Sequence, residues 1–508
     1  MSAPATLVDS AGVAHVVSGT SLLLPATNGG SAPFTEIGYA STAFIILSSA
    51  LVFLMTPGLG MFYSGMSRSK NALSLIMTSM LSMSVITIQW VLFGFSLSFS
   101  ESGGRFMGDF SMGGFRNVGA SALANTAPQI PAILFALYQM QFATITAALI
   151  FGSVAERIRL LPAMAFVFCW STLVYNPVAY WTWSYRGWIK SMSCLDTLLD
   201  APCSIGGLDF AGGGPVHIAS GFAGLAYCLM AGKRHRSDDP FKAHNMTNVF
   251  LGLALLWYGW YGFNAGSALG ATPRAAMAGV ATTVAAAAGS IAWVAWDYVR
   301  HRKLSGLGFC SGAVAGLVGI TPAAGFVAPW ASIIIGAVTA VACNVACRLK
   351  TRFGFDDSLD AWGVHGVGGY VGGILTGVFA EKWIATLDGS TINGGWVDGN
   401  FIQVGYQLAG STTIAAWSFC MSIIILFVID KIPGLHIRPT AEEQIRGDDE
   451  EQMGEVAYEI VVSSAPSMRG STAALSSAVK RAEKPVMSQE ERRHSTETER
   501  QPSEIVLG

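Results

Sequence analysis

Along this chain apolar residues gather into unbroken runs of about twenty, separated by short polar connections, rather than recurring on one face of otherwise polar helices. A helix rises about 1.5 Å per residue, so roughly 20 apolar residues are enough to cross a hydrocarbon core. Eleven runs approach or reach that length, near 39–63, 73–98, 130–152, 160–182, 212–231, 247–269, 275–299, 308–328, 331–349, 362–380 and 403–430. The pattern predicts an all-α polytopic membrane protein with eleven transmembrane helices. Residues 1–38 form an arm before the first run, and 39–430 form the membrane domain. Residues 431–460 make a compact charged segment. The Ser-, Ala-, Glu- and Arg-rich stretch 461–508 is too polar to bury a core, so it is expected to be disordered.

Orientation follows from the basic residues, because Lys and Arg favour the cytoplasmic side of short connections. One set of alternate connections holds fourteen of them, from Arg68 and Lys70 to Arg348, Lys350 and Arg352. The other holds only Arg105, Arg116, Arg186, Lys190, Arg274 and Lys382. With an odd number of spans this places the N-terminus outside and the C-terminal tail in the cytoplasm. The arm contains no Lys or Arg, so the charged start of a secretory signal is missing.

Composition adds exclusions. Charged residues make up 12% of the 508, against about a quarter in ordinary soluble chains. Residues 431–508 hold 24 of them, so the rest of the chain is poorer still, and a typical soluble enzyme is ruled out. A net charge of −2 without a basic stripe has nothing with which to neutralise a run of phosphates, so no nucleic-acid partner is expected. The 58 glycines read as close-packing positions between helices that lipid does not drive together.

Ionisable groups within membrane runs are expensive, and each is a functional candidate. Three stand out: Asp209 and His217 in LDFAGGGPVH at the start of the fifth run, and His365 in DAWGVHGVGG at the start of the tenth. The two His are five spans apart and both flanked by glycines, which points to an inverted five-plus-five repeat with the eleventh helix outside it. A pseudo-two-fold axis would bring the imidazoles together as a donor–acceptor pair able to take or return a proton; the plainer alternative is two interhelical hydrogen bonds. Asp209 reads either as a cation ligand or as a carboxyl group held by backbone N–H groups, and the second, structural and electrostatic reading is preferred. Tyr138 and Phe142 are four residues apart on one helix face, as are Phe263 and Ser267, and Trp183 ends the fourth run. Converging on one mouth, these would offer cation–π contact and hydrogen bonds to a cation; scattered, they would be interfacial belt residues.

Cys194 and Cys203 share an external connection, where a disulfide between them is plausible, while the other six cysteines lie in or beside apolar runs. No metal-ligand spacing and no cofactor loop is present. Arg492-Arg493-His494-Ser495 has the look of a basophilic kinase site, which makes Ser495 a candidate for phosphorylation.

Taken together, MTPGLGMFYSGMSRSKN, FATITAALIFGSVAERIR, LDFAGGGPVH, GWYGFNAGSA, CSGAVAGLVGITPAAG and DAWGVHGVGG resemble the ammonium transporter (Amt/Mep/Rh) family over about residues 40–460. The resemblance implies eleven spans, N-out and C-in, and a homotrimer with one narrow pore per subunit. Carried over residue by residue, it implies that Trp183, Tyr138, Phe142 and Ser267 recruit ammonium outside. Phe142 and Phe263 would form the aromatic gate, His217 and His365 the twin-His pair, Trp260 a lumen-lining ring, and Asp209 the acidic residue near the vestibule. The stretch RGDDEEQMGEVAYE resembles the family's regulatory C-terminal region, with Met453 where bacterial members commonly carry His. The polar extension looks most like a fungal Mep, and a kinase acting on Ser463, Ser464 or Ser495 would add negative charge there. The implied function is a plasma-membrane transporter, not an enzyme, that conducts ammonia derived from ammonium, with methylammonium as analogue and the lipid bilayer as its medium. The alternative is an ammonium sensor that signals through the tail.

Overall fold

The computed structural model describes residues 34–194, 206–235 and 242–458, together with the segments 5–8, 14–18 and 21–25. Helices stand at all eleven expected runs: α1 (Tyr39–Met66), α2 (Ser69–Phe99), α3 (Ala132–Val154), α4 (Leu160–Trp183), α5 (Gly213–Ala231), α6 (Met246–Gly266), α7 (Pro273–His301), α8 (Gly306–Ile320), α9 (Pro329–Phe353), α10 (Trp362–Phe379) and α11 (Ile402–Asp430). Among the described residues eight are long and apolar enough to cross a membrane, and the count rises to nine where α10 and the short helix Lys382–Asp388, bent 100° from it, are taken as one broken span. Two fall short of that measure. Helix α8 has 15 residues, and Gly, Tyr, Trp and Asn dilute the apolar character of α6. Their starts are nevertheless well defined: Asn245 Oδ1 accepts the Asn248 N–H at 3.1 Å and Ser305 Oγ accepts the Gly308 N–H at 2.9 Å, as helix-capping residues do.

The all-α expectation needs one correction. Within the arm, Ala5–Val8 (β1), Ala14–Ser18 (β2), Ser21–Pro25 (β3) and Phe34–Gly38 (β4) pair as an antiparallel meander in the order β1-β2-β3-β4. Short Val- and Leu-rich runs between Gly, Asn and Ser are too brief for a helix but suit strands and turns.

Glycines set the helix spacing. A Cβ on Gly252 of α6 would strike the Phe62 backbone of α1, and one on Gly289 of α7 would strike the Gly312 and Gly316 backbones of α8. Both α5 and α10 open with a wide π-helical turn, Gly213–Ile218 and Trp362–Gly366, and each turn carries one of the two His.

At the face bearing most of the basic connections, Glu156 and Asp356 gather arginines from three loops. Glu156 accepts from the Arg68 backbone N–H and side chain at 2.8 Å, and from Arg234 at 3.3 Å. Arg234 also makes a bidentate contact with Asp356, both bonds 2.9 Å, and holds that carboxyl below the usual carboxylate range. The segment after α11 lies against this face through α12 (Ala441–Arg446) and α13 (Asp448–Met453). Lys70 Nζ donates to the Gln444 and Ile445 carbonyls, and Asp449 accepts the Leu73 and Ser74 N–H groups at 3.0 and 2.7 Å.

Candidate functional site

The site is built where the two π-helical turns meet. His217 Nδ1 lies 3.2 Å from His365 Nδ1, with the rings stacked at 5.3 Å and 26°. The approach depends on missing side chains: a Cβ on Gly221 of α5 would collide with the Gly366 backbone of α10, and one on Gly369 would crowd the Gly213 carbonyl and His217. A π-helical turn widens the helix and re-aims the side chains it carries, a feature common at functional sites.

Each turn is held by an aspartate eight residues before its His. Asp209 accepts the N–H groups of Gly212, Gly213 and Gly214 at 2.7, 2.8 and 2.7 Å. Asp357 accepts those of Ala361, Trp362 and Gly363 at 3.1, 3.0 and 3.3 Å. In both turns the third residue after the aspartate has a left-handed backbone, Gly212 at φ 113° and Asp360 at φ 61°. Asp360 is a non-glycine residue in that region and is tied to Lys350 Nζ at 2.6 Å. Sequence reasoning named Asp209 and missed Asp357. The signal was available in the equal spacing of Asp209 to His217 and Asp357 to His365.

On one side of the His pair the rings form a column. Trp260 stacks on His217 at 5.5 Å and 20°, and its Nε1 donates to Thr321 Oγ1 at 3.0 Å. Phe263 stacks on Phe142 at 4.1 Å and 25°, and the pair is fully buried. Trp183 stands edge-on to Phe142 at 6.0 Å and 89°, with Nε1 donating to the Asp209 carbonyl at 3.1 Å. Beyond Phe142 a mouth of about 300 Å³ opens, with Trp183, Asp209 and Ser267 on its wall. Tyr138 is placed differently from the expectation of a hydroxyl at the mouth. It is buried beside Phe142, and its O–H lies 2.8 and 2.9 Å from the Gly262 and Phe263 carbonyls and 3.4 Å from Ser267 Oγ. It fixes α3 against α6 and does not line the mouth.

Below the Phe pair a cavity of about 20 Å³ is lined by both His, Trp260, Phe263, Val314 and Tyr63, among others. That volume suits one molecule the size of water. Its wall is almost wholly apolar apart from the imidazoles, and among the described residues His217 Nε2 has no hydrogen-bond partner. The arrangement offers a mouth that can attract a cation, a closed aromatic layer, and a dry chamber with a pair of proton-accepting rings.

The Cys194 side chain and Cys203 lie outside the described residues, as do Ser463, Ser464 and Ser495.

A bundle of membrane-length helices around a narrow, dry, imidazole-lined path defines a helical polytopic membrane transporter. The chain belongs to the ammonium transporter family, whose profile matches residues 43–458. It is 44% identical over 436 residues to ammonium transporter MEP2 of Saccharomyces cerevisiae, covering 84% of each chain. To ammonium transporter 1 of Schizosaccharomyces pombe it is 41% identical over 419 residues, covering 82% of each. Among solved structures, Candida albicans Mep2 superposes with a TM-score of 0.73 at 44% identity, over 80% of this chain and 88% of that one.

Proposed function

We propose that this ammonium transporter works by recruiting ammonium at the mouth beside Trp183 and Ser267, stripping its proton beneath the Phe142/Phe263 layer, and passing ammonia along His217 and His365. The observation that carries this reading is the 3.2 Å contact between two imidazoles in a nearly apolar chamber, where the buried His217 Nε2 has no hydrogen-bond partner among the described residues. A neutral imidazole pair accepts a proton at one nitrogen while its partner donates, so the substrate can give up its proton at the head of the chamber and no ammonium ion has to cross the rest of the lumen. Potassium has no proton to lose. It would enter a dry lumen as an ion, at a cost of several kcal/mol or more. Proton transfer in parallel with ammonia makes the transport electrogenic.

In this reading the eleven helices all span the plasma membrane, with the N-terminus outside and the segment 431–460 on the cytoplasmic face, and three copies assemble around separate pores. The unequal distribution of Lys and Arg between alternate connections supports the orientation. Residues 431–460 act as a regulatory segment, since Gln444, Asp449 and Gln452 within it bridge the loops at 68–74, 156–160 and 233–235. Phosphorylation of Ser463, Ser464 or Ser495 is the proposed input.

The test is the current evoked by an ammonium pulse on a solid-supported membrane carrying the purified protein, with potassium as control. Wild type is expected to give an ammonium-specific current, and His217→Ala/His365→Ala to lose it or to admit potassium. Ammonia uptake without current in wild type overturns the electrogenic reading. A second reading, a sensor, is favoured by likeness to a solved sensor Amt protein at 27% identity and TM-score 0.70, covering 80% of this chain and 96% of that one. A conduction-dead variant that still supports ammonium signalling in cells would establish it.

A further inference from the structure

Lys190 lies on the wall of the same mouth as Trp183, Asp209, Phe210 and Ser267. Its backbone is anchored there: the N–H donates to the Trp181 carbonyl at 3.1 Å, and the carbonyl accepts from Gly206 at 2.8 Å. The side chain turns back so that Nζ donates to the Trp183 carbonyl at 3.0 Å. That carbonyl is the last of α4, where the partial negative charge of a helix end gathers and a cation is welcome. The acidic groups on the wall are already engaged. Asp209 is held by three backbone N–H groups, and Asp388 pairs with Arg274 at 3.1 Å. Among the described residues no carboxylate pairs with Lys190, whose Nζ is held by the Trp183 carbonyl on the wall of the mouth.

The end of a lysine is a primary alkylammonium, the same chemical kind as the transported ion. We propose that Lys190 is an affinity-setting residue, a tethered ammonium that holds the cation-attracting end of the mouth and lowers occupancy by the incoming substrate through like charge. The inference rests on the recruitment reading above. It assigns Lys190 no part in the conduction path, so the maximal rate is left unchanged and the half-saturating concentration is raised.

The experiment measures ammonium-evoked current against concentration in proteoliposomes, at low and high ionic strength, for wild type, Lys190→Gln and Lys190→Arg. Gln keeps a hydrogen-bond donor for the Trp183 carbonyl and removes the charge; Arg keeps the charge. A like charge several ångströms away in a partly wet mouth predicts a KM about 3- to 10-fold lower for Lys190→Gln at low salt, with the maximal current changed less than about twofold. Raising the salt from about 20 to about 300 mM screens such a charge, so the gap between wild type and Gln closes, and Arg follows wild type throughout. An unchanged KM in Lys190→Gln, or a lowered KM that ignores salt, overturns the inference. Where the Gln variant does not extract as folded protein, Lys190→Met is judged by the same two readouts. Ser267→Ala, run in parallel, separates the two claims. A raised KM there with no change in Lys190→Gln removes only the Lys190 inference, whereas no change in Ser267→Ala removes the recruitment reading itself.

Discussion

Three N–H groups converge on the carboxyl of Asp209 and three on that of Asp357, and each set comes from the turn that aims a His into the path. An asparagine at either place has a single acceptor oxygen, so at least one buried N–H loses its partner, at about 1–3 kcal/mol. Alanine abandons all three. Asp357→Ala is therefore expected to lower the thermal midpoint of the detergent-extracted protein by more than Asp357→Asn, read from tryptophan fluorescence; equal midpoints would show that the carboxyl does not hold the turn. In the sequence both His and Asp209 stood out as Gly-flanked ionisable groups in membrane runs, whereas Trp183, Phe142, Phe263 and Ser267 took their expected roles from the family resemblance, since spacing alone also fits belt residues. Tyr138 was not legible in the same way. Spacing places it on the face of Phe142 but does not say that the Gly262 and Phe263 carbonyls take its hydroxyl.

At the scale of helices, the contact between α5 and α10 is limited by the backbones themselves. Gly221→Val forces them apart, since its Cβ meets Gly366 directly. Loss of folded protein on extraction, or an ammonium current reduced more than about tenfold, is expected, because a displacement near 1 Å from working geometry is enough for such a loss; full activity would contradict the packing. The docked C-terminal segment makes a pH prediction. Burial, with Glu156 and Asp449 nearby, raises the Asp448 carboxyl from 3.8 to about 7, against the opposing effects of the Ile158 N–H and Lys70. The docked form then holds a proton that the undocked form has lost, so docking weakens as pH rises from about 4 to about 7 and is level above that. Limited proteolysis of the segment should accelerate over that window in wild type and stay flat in Asp448→Asn. A flat wild-type profile would count against it.

For the whole molecule, an apolar groove of about 540 Å³ runs between α1, α6 and α7, lined by Phe44, Leu47, Leu51, Tyr261 and Val280, among others. For the proposed assembly, native mass measurement of the extracted protein should give three chains of 53.5 kDa; a transport-competent monomer would exclude the trimer. Hydrophobic run length and the distribution of Lys and Arg determined by themselves that the chain is a polytopic membrane protein, about where its helices lie, and which two His deserved attention. These features act locally or sum along the chain, so they need no knowledge of neighbours. The strands of the arm escaped because they are too short for run length to register. Only the tertiary structure decided that the helices at the two His open as π-helical turns, that Tyr138 gives its hydroxyl to the Gly262 and Phe263 carbonyls, and that Lys190 Nζ bonds to the Trp183 carbonyl at the end of α4. Each depends on which backbone atoms residues distant in sequence bring within hydrogen-bonding reach, and a linear pattern of polar and apolar positions does not encode that distance.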